Sequence, residues 1–201
     1  MNINTQQANN KRIAKNTLLL YFRMIITMIV TLFTSRIVLD ALGETNYGIY
    51  NVVGGVVTMF SVLSSSLSGA ISRFITYELG KKNLENLKLI FSTSVNIQII
   101  MSIIIFLLCE VIGGWFLNEK MNIPSERMEA ANFILHCSII TFVINLISVP
   151  YNATIIAHER MNVFAYISIL EVSLKLLVAY LIYLSPFDKL KIYALLILSI
   201  S

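Results

Sequence analysis

Five runs of roughly 20 or more mostly apolar residues constrain this chain more than any other feature. A helix needs about 20 such residues to cross the hydrocarbon core of a bilayer. The runs lie near Asn16–Leu39, Tyr47–Ser72, Leu89–Phe116, Ala130–Pro150 and Val163–Leu184. A sixth begins at about Leu190, and the sequence ends inside it. Backbone polar groups in lipid must bond within their own segment, so runs of this length are read as helices. The expected fold is all-α: a polytopic membrane helix bundle with five full transmembrane helices and the start of a sixth. Residues 1–201 are read as one transmembrane domain, cut short at its C-terminal end.

Composition excludes most alternatives. Of 201 residues, 57% are hydrophobic and 13% charged, against about 25% charged in an ordinary soluble domain. That is thin cover for a soluble enzyme, and the net charge of +4 is too small and too scattered for a nucleic-acid surface. No metalloprotease, nucleophile-elbow, phosphate-loop or dinucleotide motif is present, so no enzyme activity and no cofactor are expected. His136 and His158 have no partners at metal-ligand spacing, and no metal site is expected. Cys109 and Cys137 both lie in apolar runs and read as buried free thiols. The first apolar run is too long for a signal peptide and lacks a cleavage site.

Basic residues between the runs set an orientation. Lys11, Arg12, Lys15, Arg73, Lys81, Lys82, Lys88 and Arg160 fall on one side, and Lys120, Arg127, Lys189 and Lys191 on the other. The eight-to-four excess places the N-terminus in the cytoplasm. Tyr47, Tyr50, Trp115, Tyr151, Tyr180 and Tyr183 stand near span ends, where aromatic belts form. The turn Ala41–Asn46 offers Gly43 as a helix C-cap.

The spans are not uniformly apolar. At 100° per residue, Asn16, Arg23, Thr27, Thr31 and Thr34 fall within about 80° of one another on the first helix. On the second, Asn51, Gly55, Thr58, Ser61, Ser65, Gly69, Ser72 and Thr76 share one arc. Val53, Val56, Phe60, Leu67, Ile71 and Phe74 share the opposite arc, read as the lipid face. Ser138, Thr141, Asn145, Ser148 and Asn152 align on the fourth. Small and hydroxyl residues serve helix packing, or they line a watery cavity; Asn51, Asn145 and Arg23 on the same stripes favour the cavity. Charges within spans are costly, at least about 2.5 kcal/mol at a helix centre. Glu171 and Lys175, four apart on the fifth run, are spaced for an ion pair, either a self-neutralising structural device or part of a polar cavity. Arg36 and Asp40 are expected to pair at the outer end of the first helix, and Glu110 to lie in the interface.

The stretch SRIVLDALGETNYGIYNVVGGVVTMFSVLSSSLSGAISRFITYELG, with its Leu-Gly-x-x-x-Tyr-Gly turn at Leu42 to Gly48 and its Arg-Phe-Ile at Arg73, resembles the first two helices of bacterial polysaccharide (O-antigen and capsule) flippases. These belong to the multidrug/oligosaccharidyl-lipid/polysaccharide exporter superfamily. Val149 to Leu177 resembles the passage from helix four to helix five. The resemblance implies a two-lobe transporter of which this chain supplies the N-terminal lobe. It implies flipping of an undecaprenyl-pyrophosphate-linked oligosaccharide across the inner membrane for surface polysaccharide (lipopolysaccharide O-antigen) biosynthesis, with a proton or Na+ as coupling ion. Under that reading Arg23 and Lys175 contact the anionic headgroup, Glu171 holds Lys175 or takes up a proton, and Asn51 and Asn145 line the cavity. The competing expectations are a cation-coupled multidrug antiporter of the same superfamily and an inactive, truncated membrane scaffold.

Overall fold

A computed structural model describes residues 3–186 and 188–201, with the side chains of residues 3–9, 12 and 62–64 outside the described set. Among these residues, six α-helices follow in order: α1 Ile3–Thr58, α2 Ser61–Lys81, α3 Leu84–Glu119, α4 Met128–Ala157, α5 Met161–Leu184 and α6 Lys189–Ile200. A single 3₁₀ turn, Ser125–Arg127, precedes α4. No strand occurs among the described residues. Among the described residues, four helical stretches, Ile13–Thr58, Leu84–Glu119, Ser125–Ala157 and Met161–Leu184, are long and apolar enough to cross a membrane. The chain is a multi-pass membrane protein.

The first two expected spans are joined and divided differently. Helical structure runs from the first span into the second, interrupted only at Gly43 (φ 77°, ψ 163°). That backbone region is essentially confined to glycine, so one residue replaces the expected six-residue turn. Thr31, Thr34, Ser35 and Val38 before it line one cavity with Tyr47, Tyr50 and Asn51 after it, so the two arms of α1 fold back on each other. The second span breaks at Met59–Phe60, where α1 ends and α2 begins. Gly54-Gly55 is poor helix, and the Thr58 hydroxyl bonds back to the Gly55 carbonyl at 2.9 Å, which competes with the helical ladder.

The faces of that second span also differ from expectation. Val53 and Ile71, assigned to lipid, are buried, whereas Asn51, Ser61, Ser65, Gly69 and Thr76 of the polar arc are exposed on this chain. Branched aliphatic side chains fill the closest contacts; of the polar arc, Asn51 and Thr58 line cavities within the bundle while Ser65, Gly69 and Thr76 are exposed, and Phe74 of the opposite arc is exposed as expected.

The fourth helix passes straight through Pro150, where the sequence reading ended it. Proline removes one ladder bond, but Val149, Pro150 and Ala153 are buried and the Thr154 hydroxyl donates to the Pro150 carbonyl at 2.8 Å. This helix is the centre of the fold and touches every other one. Its buried residues, among them Ala131, Ile134, Leu135, Ile139 and Leu146, form the main core with Ile105, Cys109 and Leu117 of α3, Val53 and Val57 of α1, and Leu190 and Ala194 of α6. Gly113 lets α3 approach closely: a Cβ there would stand 3.0 Å from Leu135 Cδ1. Across the opposite side of the bundle, α1 packs along α5.

Candidate substrate cavity

Two cavities open along the α1, α4, α5 and α6 faces, and they share one wall. The first, of about 150 Å³, is lined by Thr31, Thr34, Ser35, Tyr47, Tyr50, Asn51, Lys175 and Tyr193. The second, of about 160 Å³, is lined by Tyr50, Thr58, Cys137, Ser138, Thr141, Phe142 and Asn145 with Ala194 and Ile197 of α6. The wall is the Tyr50 ring, packed edge-on against Tyr193 with centroids 4.7 Å apart.

The helical spacing of these side chains explains their convergence. Thr31, Thr34 and Val38 recur at three and four residues on α1, and Ser138, Thr141 and Asn145 do the same on α4. Most of the hydroxyls are anchored by their own helices at rest. Thr34 donates to the Val30 carbonyl and Ser35 to the Thr31 carbonyl. Asn51 donates to the Tyr47 carbonyl, and Asn145 donates to the Thr141 carbonyl and to the Ser201 hydroxyl, at 3.0–3.1 Å. Each of these groups keeps free acceptor positions for a ligand.

Lys175 is the cation of the first cavity. Its ammonium donates to Glu171 Oε1 at 2.6 Å, and the two side chains remain 38% and 47% exposed. The pair therefore sits at an opening rather than sealed between helices. Of the five residues singled out from sequence, the structure brings Lys175 and Asn51 into one cavity with Glu171 bonded to Lys175, and it puts Asn145 in the adjoining cavity.

Arg23 stands apart from all four, about two turns before Thr31 on α1. Its guanidinium lies 4.6 Å over the Phe164 ring, and Nη1 donates to the Ser168 hydroxyl at 3.0 Å. Its Nε is buried without a partner. This is an α1–α5 tether that retains donor capacity.

Sequence reasoning missed the aromatic part of the site. Tyr47 and Tyr50 had been assigned to an interfacial belt, but both are half-buried cavity walls. Their spacing of three, with Asn51 next in line, was the available signal. Tyr193 gave none, because the sixth run, read as the start of a transmembrane helix, is too short to show a helical stripe. Tyr180 and Tyr183 are exposed as a belt requires.

The remaining charges are placed as follows. No ion pair joins Arg36 to Asp40 among the described residues. Asp40 instead lines a cavity of about 300 Å³ with Ile37, Tyr180, Tyr183 and Leu184. Glu110 bonds His136 Nδ1 at 2.8 Å across the α3–α4 contact. Lys191 pairs with Glu129 at 2.7 Å and Arg127 with Asp188 at 3.3 Å, tying the start of α6 to the start of α4. Both cysteines are free and buried. Gln98 of α3 is fully buried, with neither amide atom bonded within the chain.

Packed helices with small and polar stripes converging on mid-span cavities are the construction of a membrane transporter. The chain belongs to the MatE family, whose model matches residues 17–181. It is thus a membrane transporter of the multidrug/oligosaccharidyl-lipid/polysaccharide exporter superfamily. No curated protein and no solved structure matches it.

Proposed function

We propose that this transporter moves a lipid-linked oligosaccharide with a pyrophosphate headgroup between the leaflets of a bacterial inner membrane. The observation that carries the reading is Lys175, placed over a cavity whose other polar groups are hydroxyls and an amide and held there by Glu171. A cation with hydroxyl neighbours suits a pyrophosphate, since charge-assisted bonds to phosphate oxygens are the strong ones. Glu171 neutralises the ammonium until a substrate replaces it. Arg23, with an unpartnered Nε, is a second anion contact further along α1. Surface polysaccharide in a flippase-null strain, expressing the complete transporter, tests this. Lys175→Met abolishes export at unchanged membrane levels; wild-type export by that variant overturns the reading.

The antiporter reading has its own observation. Asp40 faces an apolar cavity with two tyrosines, and a carboxylate beside aromatic faces suits an organic cation. Dye efflux that is lost on Asp40→Asn, with polysaccharide export absent in both forms, favours it.

The orientation follows the basic residues, with the N-terminus in the cytoplasm. A reporter active only in the cytoplasm works when fused after Glu85 or Arg160 and is silent after Asn122. The opposite pattern reverses the bundle.

A further inference from the structure

The two cavities differ in chemistry as well as position. The cavity around Lys175 holds a cation. The cavity around Asn145 has no charged residue in its wall and offers Thr58, Ser138, Thr141 and Asn145 beside the Tyr50 ring. Each is only about half the lower limit of the roughly 300–1,000 Å³ that small-molecule sites fill. Together they reach that limit. A ligand that uses the site in the usual way therefore spans both and passes the Tyr50–Tyr193 edge contact.

We infer that the Tyr50–Tyr193 pair divides a bipartite site, with pyrophosphate on the Lys175 side and the first sugar of the glycan on the Asn145 side. This rests on the lipid-linked oligosaccharide reading. A neutral polyol asks for what the Asn145 cavity has: hydroxyls and an amide that both donate and accept, no charge, and an aromatic face for the apolar side of a pyranose ring. The pyrophosphate asks for the ammonium. Asn145 and Tyr50 are then specificity determinants for the glycan, and Lys175 is indifferent to it. The hydroxyls that bond their own helices at rest lose nothing essential on rotating, since each helix carbonyl is also held by its ladder bond.

The experiment compares two lipids binding to the whole chain in nanodiscs: undecaprenyl pyrophosphate, and the same lipid carrying one N-acetylhexosamine. Wild type prefers the sugar-bearing lipid. In Asn145→Leu that preference falls about tenfold, the loss of one hydrogen-bonding side chain. Tyr50→Ala also lowers it, while Tyr50→Phe keeps it, because the ring remains. In Lys175→Met both affinities fall and their ratio is kept. Where the lone carboxylate prevents folding, Glu171→Gln with Lys175→Met replaces the single variant. An unchanged ratio in Asn145→Leu and Tyr50→Ala overturns the division while leaving the substrate reading intact. Failure of wild type to bind either lipid, with folding verified by size exclusion, overturns the substrate reading and the division with it.

Discussion

The α3–α4 contact and the α1–α5 contact are both helix pairs in the same bundle, yet the centre of the first is apolar and one end of the second is polar. Between α3 and α4, Ile105, Cys109 and Leu117 meet Ala131, Ile134 and Leu135, all nearly or fully buried. Gly113 brings the backbones together under Leu135. Between α1 and α5, the contacts include a guanidinium on a ring, a hydroxyl on a guanidinium, and threonines facing Val172 and Lys175. In the most apolar stretch of α1 no residue is buried, whereas 44% are buried in that of α4. Lipid gives helices little hydrophobic reason to associate, so close van der Waals packing must do it. The first contact is built that way. The second joins a buried apolar end, Val38 and Leu42 with Val178, Ala179 and Ile182, to a polar end whose groups are useful to a polar ligand and weak as glue. The difference separates the part of the bundle that holds its shape from the part that presents a site.

The largest expected effect lies in the tight contact. Gly113→Leu forces Leu135 aside and lowers stability by about 1–3 kcal/mol, read as thermal unfolding in detergent, and Leu135→Ala added to it restores part of the loss. Arg23→Met, at the polar end of the α1–α5 contact, costs about 1 kcal/mol or less, because a partly exposed polar tether contributes little. Equal losses for the two would erase the distinction.

A smaller effect measures how wet the polar end of the α1–α5 contact is. Lys175→Met leaves Glu171 alone, and in a watery cavity that costs about 1 kcal/mol or less relative to the Glu171→Gln, Lys175→Met pair. A difference above about 2.5 kcal/mol is what an unpaired charge costs in a dry span, and it would move the pair into the packed half of the bundle.

The smallest effect is an order of reaction. Cys137 lines the Asn145 cavity and Cys109 does not. A small maleimide labels Cys137 first, and Asn145→Ala widens the gap by opening the approach. Faster labelling of Cys109 would mean that the α3–α4 contact opens more readily than the cavity.

Much of this was legible in the residues. Apolar run lengths gave the all-helical membrane bundle, and a four-residue spacing gave the Glu171–Lys175 bond. The stripe from Thr31 to Thr34 and the stripe from Ser138 to Asn145 each line a cavity. What failed were judgements that depend on partners in space. Periodicity distinguishes the Val53–Ile71 face from the Asn51–Thr76 face but does not say which one packs, because in lipid an apolar face fits either environment. Arg36 and Asp40 have ion-pair spacing, and Asp40 nevertheless lines a tyrosine cavity. Tyr50 lies close enough to a span end to imitate a belt residue. Pro150 looked like a terminus because the neighbours that hold α4 together around it are remote in sequence.

Gly43 has a mechanical meaning as well as a conformational one. The arm of α1 before it, Ile3 to Leu42, is about 60 Å long at 1.5 Å per residue. Everything that joins this arm covalently to the rest of the chain passes through that one residue. A rotation of only 5° there carries the far end of the arm through about 5 Å, a full helical turn in scale, while Val38, a turn away from the pivot, scarcely moves. Thr31 and Thr34 shift only slightly, and Arg23 travels several times further than Val38. A rigid rotation at this single glycine would thus be small at the cavity and large at the far end of the arm.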